Sequence, residues 1–324
     1  MKDKARFCDY FIIFDFMNIE QNFEKIAAFQ NLELLAHQVV EGFISGMHKS
    51  PFHGFSAEFA EHKIYNTGES TKNIDWKLFA RTDRLYTKRF EEETNLRCHL
   101  ILDNSSSMHY PKLQPEEPFY KNKVGFSVLA AAVLMNLLKK QRDAVGLSVY
   151  SDTFEYYASE KGSERHHRML LNTLENIVTS PTQNKTTDTI DFLHQIAEKI
   201  HRRSMIVLFT DMFQSQDENE LFRALQHLKH NKHKVIVFHV HSKQHELNFE
   251  FNNTPKKFID IESGEEINLF AEQIQEAYST SVKKYFEKIS LICSQYRIKY
   301  VPVAVEDSFE KIMLTYLTEK QKFG

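Results

Sequence analysis

The chain has 324 residues and 42% hydrophobic side chains, enough to bury one large domain or a domain with a smaller one attached. Its 41 Lys and Arg against 44 Asp and Glu leave a formal net charge of -3, so nothing drives it generally toward nucleic acid or an anionic membrane, and the expected partner is a protein or a small ion. Cys8, Cys98 and Cys293 are isolated in sequence, which excludes a disulfide framework or a zinc spacing and fits a reducing, cytoplasmic setting.

The first strongly apolar run, Tyr10 to Phe14, lies between Asp9 and Asp15 and falls far short of the roughly 20 residues of a spanning helix, so no membrane span or signal peptide is expected. Residues 1–31 are read as an N-terminal extension, of which 1–16 stand upstream of the folded unit. Leu32 to Ile44 carries apolar residues at helical spacing and is broken by Gly46 and Pro51, which predicts one helix. From Pro51 to Glu93 the runs shorten, with turns at Gly54 and Asn66-Thr67-Gly68 and an extended run from Leu85 to Phe90; residues 32–94 are therefore a helix plus a small β-rich appendage.

Residues 95–324 alternate strands and helices. Strands are predicted at Arg97 to Leu102, Ala144 to Tyr150, Ser204 to Phe209, Lys234 to Val240, Lys257 to Ile261 and Lys299 to Val305. Helices are predicted at Lys123 to Lys140, Arg165 to Ile177, Thr189 to Ile200, Glu218 to Lys229 and Ala277 to Gln295. Strands of unbroken apolar residues alternating with helices imply an α/β fold with a mainly parallel sheet flanked by helices.

None of the nine glycines falls in a phosphate-binding loop motif, which argues against nucleotide binding. Oxygen-bearing side chains instead collect where strands should end. Asp103-x-Ser105-x-Ser107 follows the strand ending at Leu102, Thr210-Asp211 follows the strand ending at Phe209, and Thr186-Thr187-Asp188 precedes the helix beginning at Thr189. Taken singly, Asp103 and the serines are equally good helix caps and Asp211 an ordinary turn residue. Taken together, at the strand ends where α/β sheets bind ligands, they supply oxygens for one six-coordinate cation such as Mg²⁺, with Mn²⁺ or Ca²⁺ as alternatives.

This pattern resembles the metal-ion-dependent adhesion site of von Willebrand factor A domains. The resemblance implies Asp103, Ser105, Ser107, Thr187 and Asp211 as metal-site residues and an acidic residue of a partner completing the shell. Thr187 stands beside Thr186 without the glycines usual in that loop, and Met212 follows Asp211 where many A domains have glycine.

Further blocks sharpen the resemblance: His62-Lys63-Ile64-Tyr65, Gly68-Glu69, Asn73-Ile74-Asp75-Trp76-Lys77, Ala80-Arg81, Lys88-Arg89-Phe90-Glu91, Gly54-Phe55-Ser56-x-Glu58-Phe59 and Ala144-Val145-Gly146-Leu147. From about Leu32 to the C-terminus the chain is similar to bacterial proteins of the domain of unknown function 58 family. That resemblance implies a von Willebrand factor A-like, Rossmann-like fold and a non-enzymatic interaction role with a MoxR-type AAA+ ATPase or its client, in assembly or maturation. The competing expectation is a metal-dependent hydrolase using the same Asp/Ser/Thr cluster, for which His109 is the one nearby general-base candidate.

Two other features have structural explanations at hand. Trp76, the chain's single tryptophan, is expected as a buried indole clamped by Asp75 and the following arginines. His239-x-His241 with His245 has the spacing of a zinc triad, but with 16 histidines in the chain and no zinc-enzyme motif around them, packing roles are expected.

Overall fold

The computed structural model describes residues 31–46, 61–64, 76–89, 96–179, 189–212, 218–252, 254–261 and 264–322. The expected extension up to residue 30, and Thr186, Thr187 and Asp188, lie outside the described residues. The chain divides into two compact units, one within residues 49–95 and one formed by the helix before it together with residues from 96 onward.

In the smaller unit, β1 (Glu61–Ile64) pairs antiparallel with β2 (Tyr86–Arg89), in a register running from Glu61 opposite Arg89 to Ile64 opposite Tyr86. Between them lies α2 (Trp76–Thr82), the chain's second described helix after α1 (Leu32–Gly46), where the mostly β expectation had no helix. Trp76 is 62% exposed and meets the edge of Phe79 at a centroid distance of 6.2 Å. The buried clamp expected there is thus corrected: an indole facing water satisfies its N–H without an Asp or Arg partner.

The larger unit begins with α1 (Leu32–Gly46), whose first turn is capped by Asn31, its Oδ1 accepting from Leu34 N at 2.9 Å. Leu32, Leu35, Ala36, Val39 and Val40 repeat at helical spacing and are buried, on the stripe that packs against α3 (Lys123–Lys140). Glu41 adds an ion pair to Lys140. By its packing α1 goes with the larger unit, so the grouping 32–94 splits after this helix.

The central sheet has the strand order β10-β7-β6-β3-β4-β5. Its members are β3 (Arg97–Asp103), β4 (Ala144–Tyr150), β5 (Phe154–Lys161), β6 (Met205–Thr210), β7 (Lys234–His241) and β10 (Lys299–Ala304). All neighbours run parallel except β4 and β5. Strands covered on both faces need apolar side chains throughout, and every residue of β6 is buried. One face carries α5 (Thr189–Lys199), α6 (Glu218–His230) and α7 (Ala271–Gln295), whose Leu193, Leu225 and Ile289 pack with Ile101, Leu208 and Val237 of the sheet. The opposite face carries α3 and α8 (Phe309–Lys322), joined by the rings of Phe126 and Phe309 at 5.1 Å. Helix α3 is apolar nearly all round because the sheet covers one side and α1 and α4 (Glu164–Thr179) cover the other.

The helix α2, the edge strand β5, the helix α8 and the strand β9 (Glu266–Phe270) were not anticipated, whereas the strand expected at Lys257 to Ile261 is present as β8 (Pro255–Ile259), paired with β9 in a hairpin apart from the main sheet. Helix α7 also begins at Ala271, six residues before its expected start. What positions the site is the order around β3. Its neighbours β4 and β6 lie on opposite sides, so the connections diverge and open a crevice at the carboxyl ends of β3 and β6.

Candidate metal centre

Asp103 closes β3 and is fully buried in that crevice. Its Oδ1 accepts from Ser105 N at 3.0 Å, and its Oδ2 accepts from Thr210 Oγ1 at 2.8 Å and Tyr150 OH at 3.3 Å. Tyr150 OH lies 3.2 Å from Thr189 Oγ1 at the start of α5, and its ring stacks on Phe192 at 4.1 Å. Thr210 is held in turn by Met212 N, which donates to its hydroxyl at 3.1 Å.

Ser105 stands at the N-cap of a short 3₁₀ turn, Ser106–His109, yet makes no side-chain capping bond. Its Oγ instead lies 3.1 Å from Ser107 Oγ. The capping explanation for this serine therefore fails, while α3 has its own cap in Asn122, whose side chain accepts from Gly125 N at 2.8 Å.

Asp211 follows β6 and is also fully buried. Its Oδ2 accepts from Lys123 Nζ at 2.8 Å, and the same ammonium donates to Glu246 Oε1 at 2.5 Å. Lys123, at the start of α3, has no exposed side-chain surface. It is held there by close packing: a Cβ on Gly125 would fall 1.9 Å from the carbonyl oxygen of Phe119, so only glycine lets the 3₁₀ turn Phe119–Lys121 sit against the first turn of the helix. Glu246 lies on the short π-helical turn Lys243–Leu247, where its Oε2 also accepts from Ser242 N at 2.7 Å. Met212 carries φ of 56°, the left-handed conformation glycine adopts freely, here with a buried methionine in it.

The electrostatics follow from burial. Loss of solvent pushes the Asp103 carboxyl up to about 7, the charge of Asp211 adds to the rise, and the hydrogen bonds from Ser105 and Thr210 oppose it. Burial drives the Tyr150 hydroxyl well up as well, with Asp103 beside it. For Lys123 burial acts downward, but Asp211 and Glu246 outweigh it and keep the ammonium protonated. Burial raises Glu246 against the pull of Lys123.

The side chains present fit a hard divalent cation in one respect that geometry decides. Adjacent ligands of an octahedral ion with bonds near 2.1 Å stand about 3.0 Å apart, and the two serine hydroxyls are 3.1 Å apart beside a carboxylate. Asp103, Ser105, Ser107 and Asp211 gather at one end of the sheet; Thr187 lies outside the described residues, 2 positions before Thr189. The centre also contains Tyr150, Thr189, Lys123 and Glu246, which sequence reading missed. One signal for Lys123 was available: a lysine in the first turn of a helix opposes the macrodipole and calls for a local anion.

The histidine triad spacing does not gather a site. His239 Nδ1 lies 2.6 Å from Tyr300 OH, while the ring of His245 stacks on Phe251 at 4.9 Å. Burial, with His241 beside it, pushes His239 down to about 3, so its ring is neutral. Among the described residues no three His, Cys, Asp or Glu side chains converge to hold a metal, so a cation in this crevice depends on hydroxyls. His109 Nε2 lies 3.0 Å from Asn104 Oδ1.

Residues 61–288 match the model of the family described as Protein of unknown function DUF58. The uncharacterized proteins Mb1516 of Mycobacterium bovis and Rv1480 of Mycobacterium tuberculosis are each 22% identical over 214 residues, 66% of this chain and 64% of theirs. The match thus spans less than two thirds of these relatives. Among solved structures, the conserved hypothetical protein BatB from Bacteroides thetaiotaomicron is similar over 71% of this chain and all of its own, at 16% identity and a TM-score of 0.44. The VWA domain of SpRpn10 is similar over 70% of this chain and 95% of its own, at 16% identity and a TM-score of 0.38.

Proposed function

We propose, from the premise that this chain belongs to the DUF58 family, that it is a non-enzymatic protein-interaction module whose Asp103 centre is a metal-ion-dependent adhesion site. The observation that carries this reading is the pair of hydroxyls, Ser105 and Ser107, set 3.1 Å apart beside buried Asp103 at the switch point of the sheet and unused by any helix cap. Asp103, Ser105, Ser107, Thr187 and Asp211 are the residues that would hold the ion. Bound Mg²⁺, or Mn²⁺ or Ca²⁺ in its place, supplies an open position for a carboxylate of the partner.

The chain's own residues prepare that position. Thr210 and Tyr150 fix one oxygen of Asp103 and the Ser105 amide fixes the other, so the carboxylate is oriented before any ion arrives. The partner we assign is a MoxR-type AAA+ ATPase or its client, in assembly or maturation of that client, within the cytoplasm. No described helix is long and apolar enough to cross a membrane.

Capture of a purified MoxR-type ATPase by the immobilised chain, with Mg²⁺ and with chelator, tests this reading. Capture is expected in Mg²⁺, absent in chelator and absent for a folded Asp103→Ala variant. Capture that is equal in chelator sinks the adhesion-site reading; no capture in Mg²⁺ sinks the assignment of that partner.

A further inference from the structure

We propose that Lys123 is the centre's resident cation, a positioning residue whose ammonium holds Asp211 and Glu246 in place so that the crevice stays assembled without a metal ion. The proposal extends the adhesion-site reading above and takes from it the view of Asp211 as a site residue. Its basis is that burial and the start of a helix both oppose a positive charge on Lys123, while two carboxylates in contact with it favour one. The side chain is fully buried, and an unpaired buried ammonium is strongly unfavourable. The start of a helix presents the positive end of its dipole, which repels a cation again. The contacts of 2.8 Å to Asp211 and 2.5 Å to Glu246 offset both effects.

The charge balance gives the arrangement a purpose. Asp103, Asp211 and Glu246 are three buried or nearly buried carboxylates, and Lys123 is the ammonium between two of them. With all four ionised the group carries two negative charges, which a divalent cation neutralises exactly once. Without Lys123 the metal-free crevice holds three like charges and the loaded one retains an excess. Lys123 thus confines the unmet charge to Asp103, the carboxylate next to the serine hydroxyls, and leaves the ion exchangeable because the fold does not depend on it. It also ties down the loop behind the site. Glu246 belongs to the turn Lys243–Leu247, and Glu306 secures the same turn from beneath, accepting from Ser242 Oγ at 2.6 Å and from Lys243 N at 2.9 Å.

Thermal unfolding with chelator and with Mn²⁺ distinguishes this role from packing. Wild type is expected to melt within a few degrees under the two conditions. Lys123→Met keeps the stem and removes the charge, and in chelator it is expected to lose roughly 6–20 °C, the loss for breaking a buried ion pair in a domain of this size. Mn²⁺ is expected to restore a large part of that loss. The triple variant Lys123→Met, Asp211→Asn, Glu246→Gln, with no charge left to compensate, is expected to recover stability in chelator, and it remains informative if Lys123→Met alone does not fold.

An unchanged melting temperature for Lys123→Met in chelator overturns the proposal, and so does a loss that the triple variant fails to recover. Mn²⁺ binding by calorimetry separates the two readings. If wild type binds no Mn²⁺ the adhesion site falls, while the loss in Lys123→Met and its recovery in the triple variant still decide whether Lys123 is the resident cation.

Discussion

Gly146 owes its lack of a side chain to His99: a Cβ at position 146 would fall 2.6 Å from the histidine Nδ1 and 2.8 Å from the carbonyl oxygen of Ala158. The imidazole fills that space to join three strands. Its Nδ1 lies 2.6 Å from Glu160 Oε1 on β5, its Nε2 lies 2.7 Å from Ser148 Oγ on β4, and Tyr157 stacks on it at 5.6 Å. Burial alone would lift the Glu160 carboxyl, but the hydrogen bond and charge of His99 hold it below the ordinary range. Ser148 and His99 are both sealed from solvent, so the serine, histidine and glutamate form a pin for the edge strand and not a nucleophilic site.

Gly146→Ala should therefore destabilise the larger unit by about 1–3 kcal/mol, the usual cost of overpacking a tight core. Urea unfolding followed by far-ultraviolet circular dichroism measures it. A shift of the midpoint smaller than the error would show that His99 can yield without loss.

Thr210→Val removes the donor to Asp103 Oδ2 and the acceptor of Met212 N with little change of shape. Leaving Met212 N without this acceptor and Asp103 Oδ2 with the longer bond from Tyr150 should cost about 1–3 kcal/mol. It should also weaken Mn²⁺ binding, because Asp103 loses an orienting contact. Calorimetric titration reads the second effect, and unchanged affinity would remove Thr210 from the site.

Asp103 sets the sign of a pH effect in the metal-free protein. Its folded-state value of about 7 lies above the 3.8 of an exposed aspartate, so its stabilising contribution is complete below about pH 4 and is lost as the pH rises toward 7. The fall should be about 1.4 kcal/mol for each pH unit within that window. Asp103→Asn has nothing to ionise, so in chelator its urea midpoint should gain on wild type from pH 4.5 to 7 while its metal binding is lost. Parallel curves for the two proteins would contradict a raised Asp103.

Trp76 is the single tryptophan of the chain and 62% exposed. Acrylamide should quench native fluorescence almost as readily as it quenches the urea-unfolded chain. Strong protection in the native protein would restore the buried clamp.

The sheet was legible where burial on two faces leaves only apolar side chains, as in β3 and β6, and the bounds of α3 agree with its expected span from Lys123 to Lys140. Strand β5 was not legible because it is a half-exposed edge, where Phe154 and Tyr156 alternate with exposed Glu155 and Tyr157, and its pairing with β4 shifts register twice. Trp76 misled because a lone indole is usually buried, whereas α2 turns it outward. Asp103, Ser105, Ser107 and Asp211 were legible as oxygen donors at strand ends. The ion pairs of Lys123 were not, since its partners come from loops 88 and 123 positions away.

Those separations also order the events of synthesis. Lys123 leaves the ribosome long before Glu246, and at 5–20 residues per second the interval is roughly 6–25 s. During it the ammonium has no reason to leave water, so the first turn of α3 cannot settle into its buried position. The arrival of the turn Lys243–Leu247 therefore marks the earliest moment at which Lys123 can have both carboxylates and the centre can close.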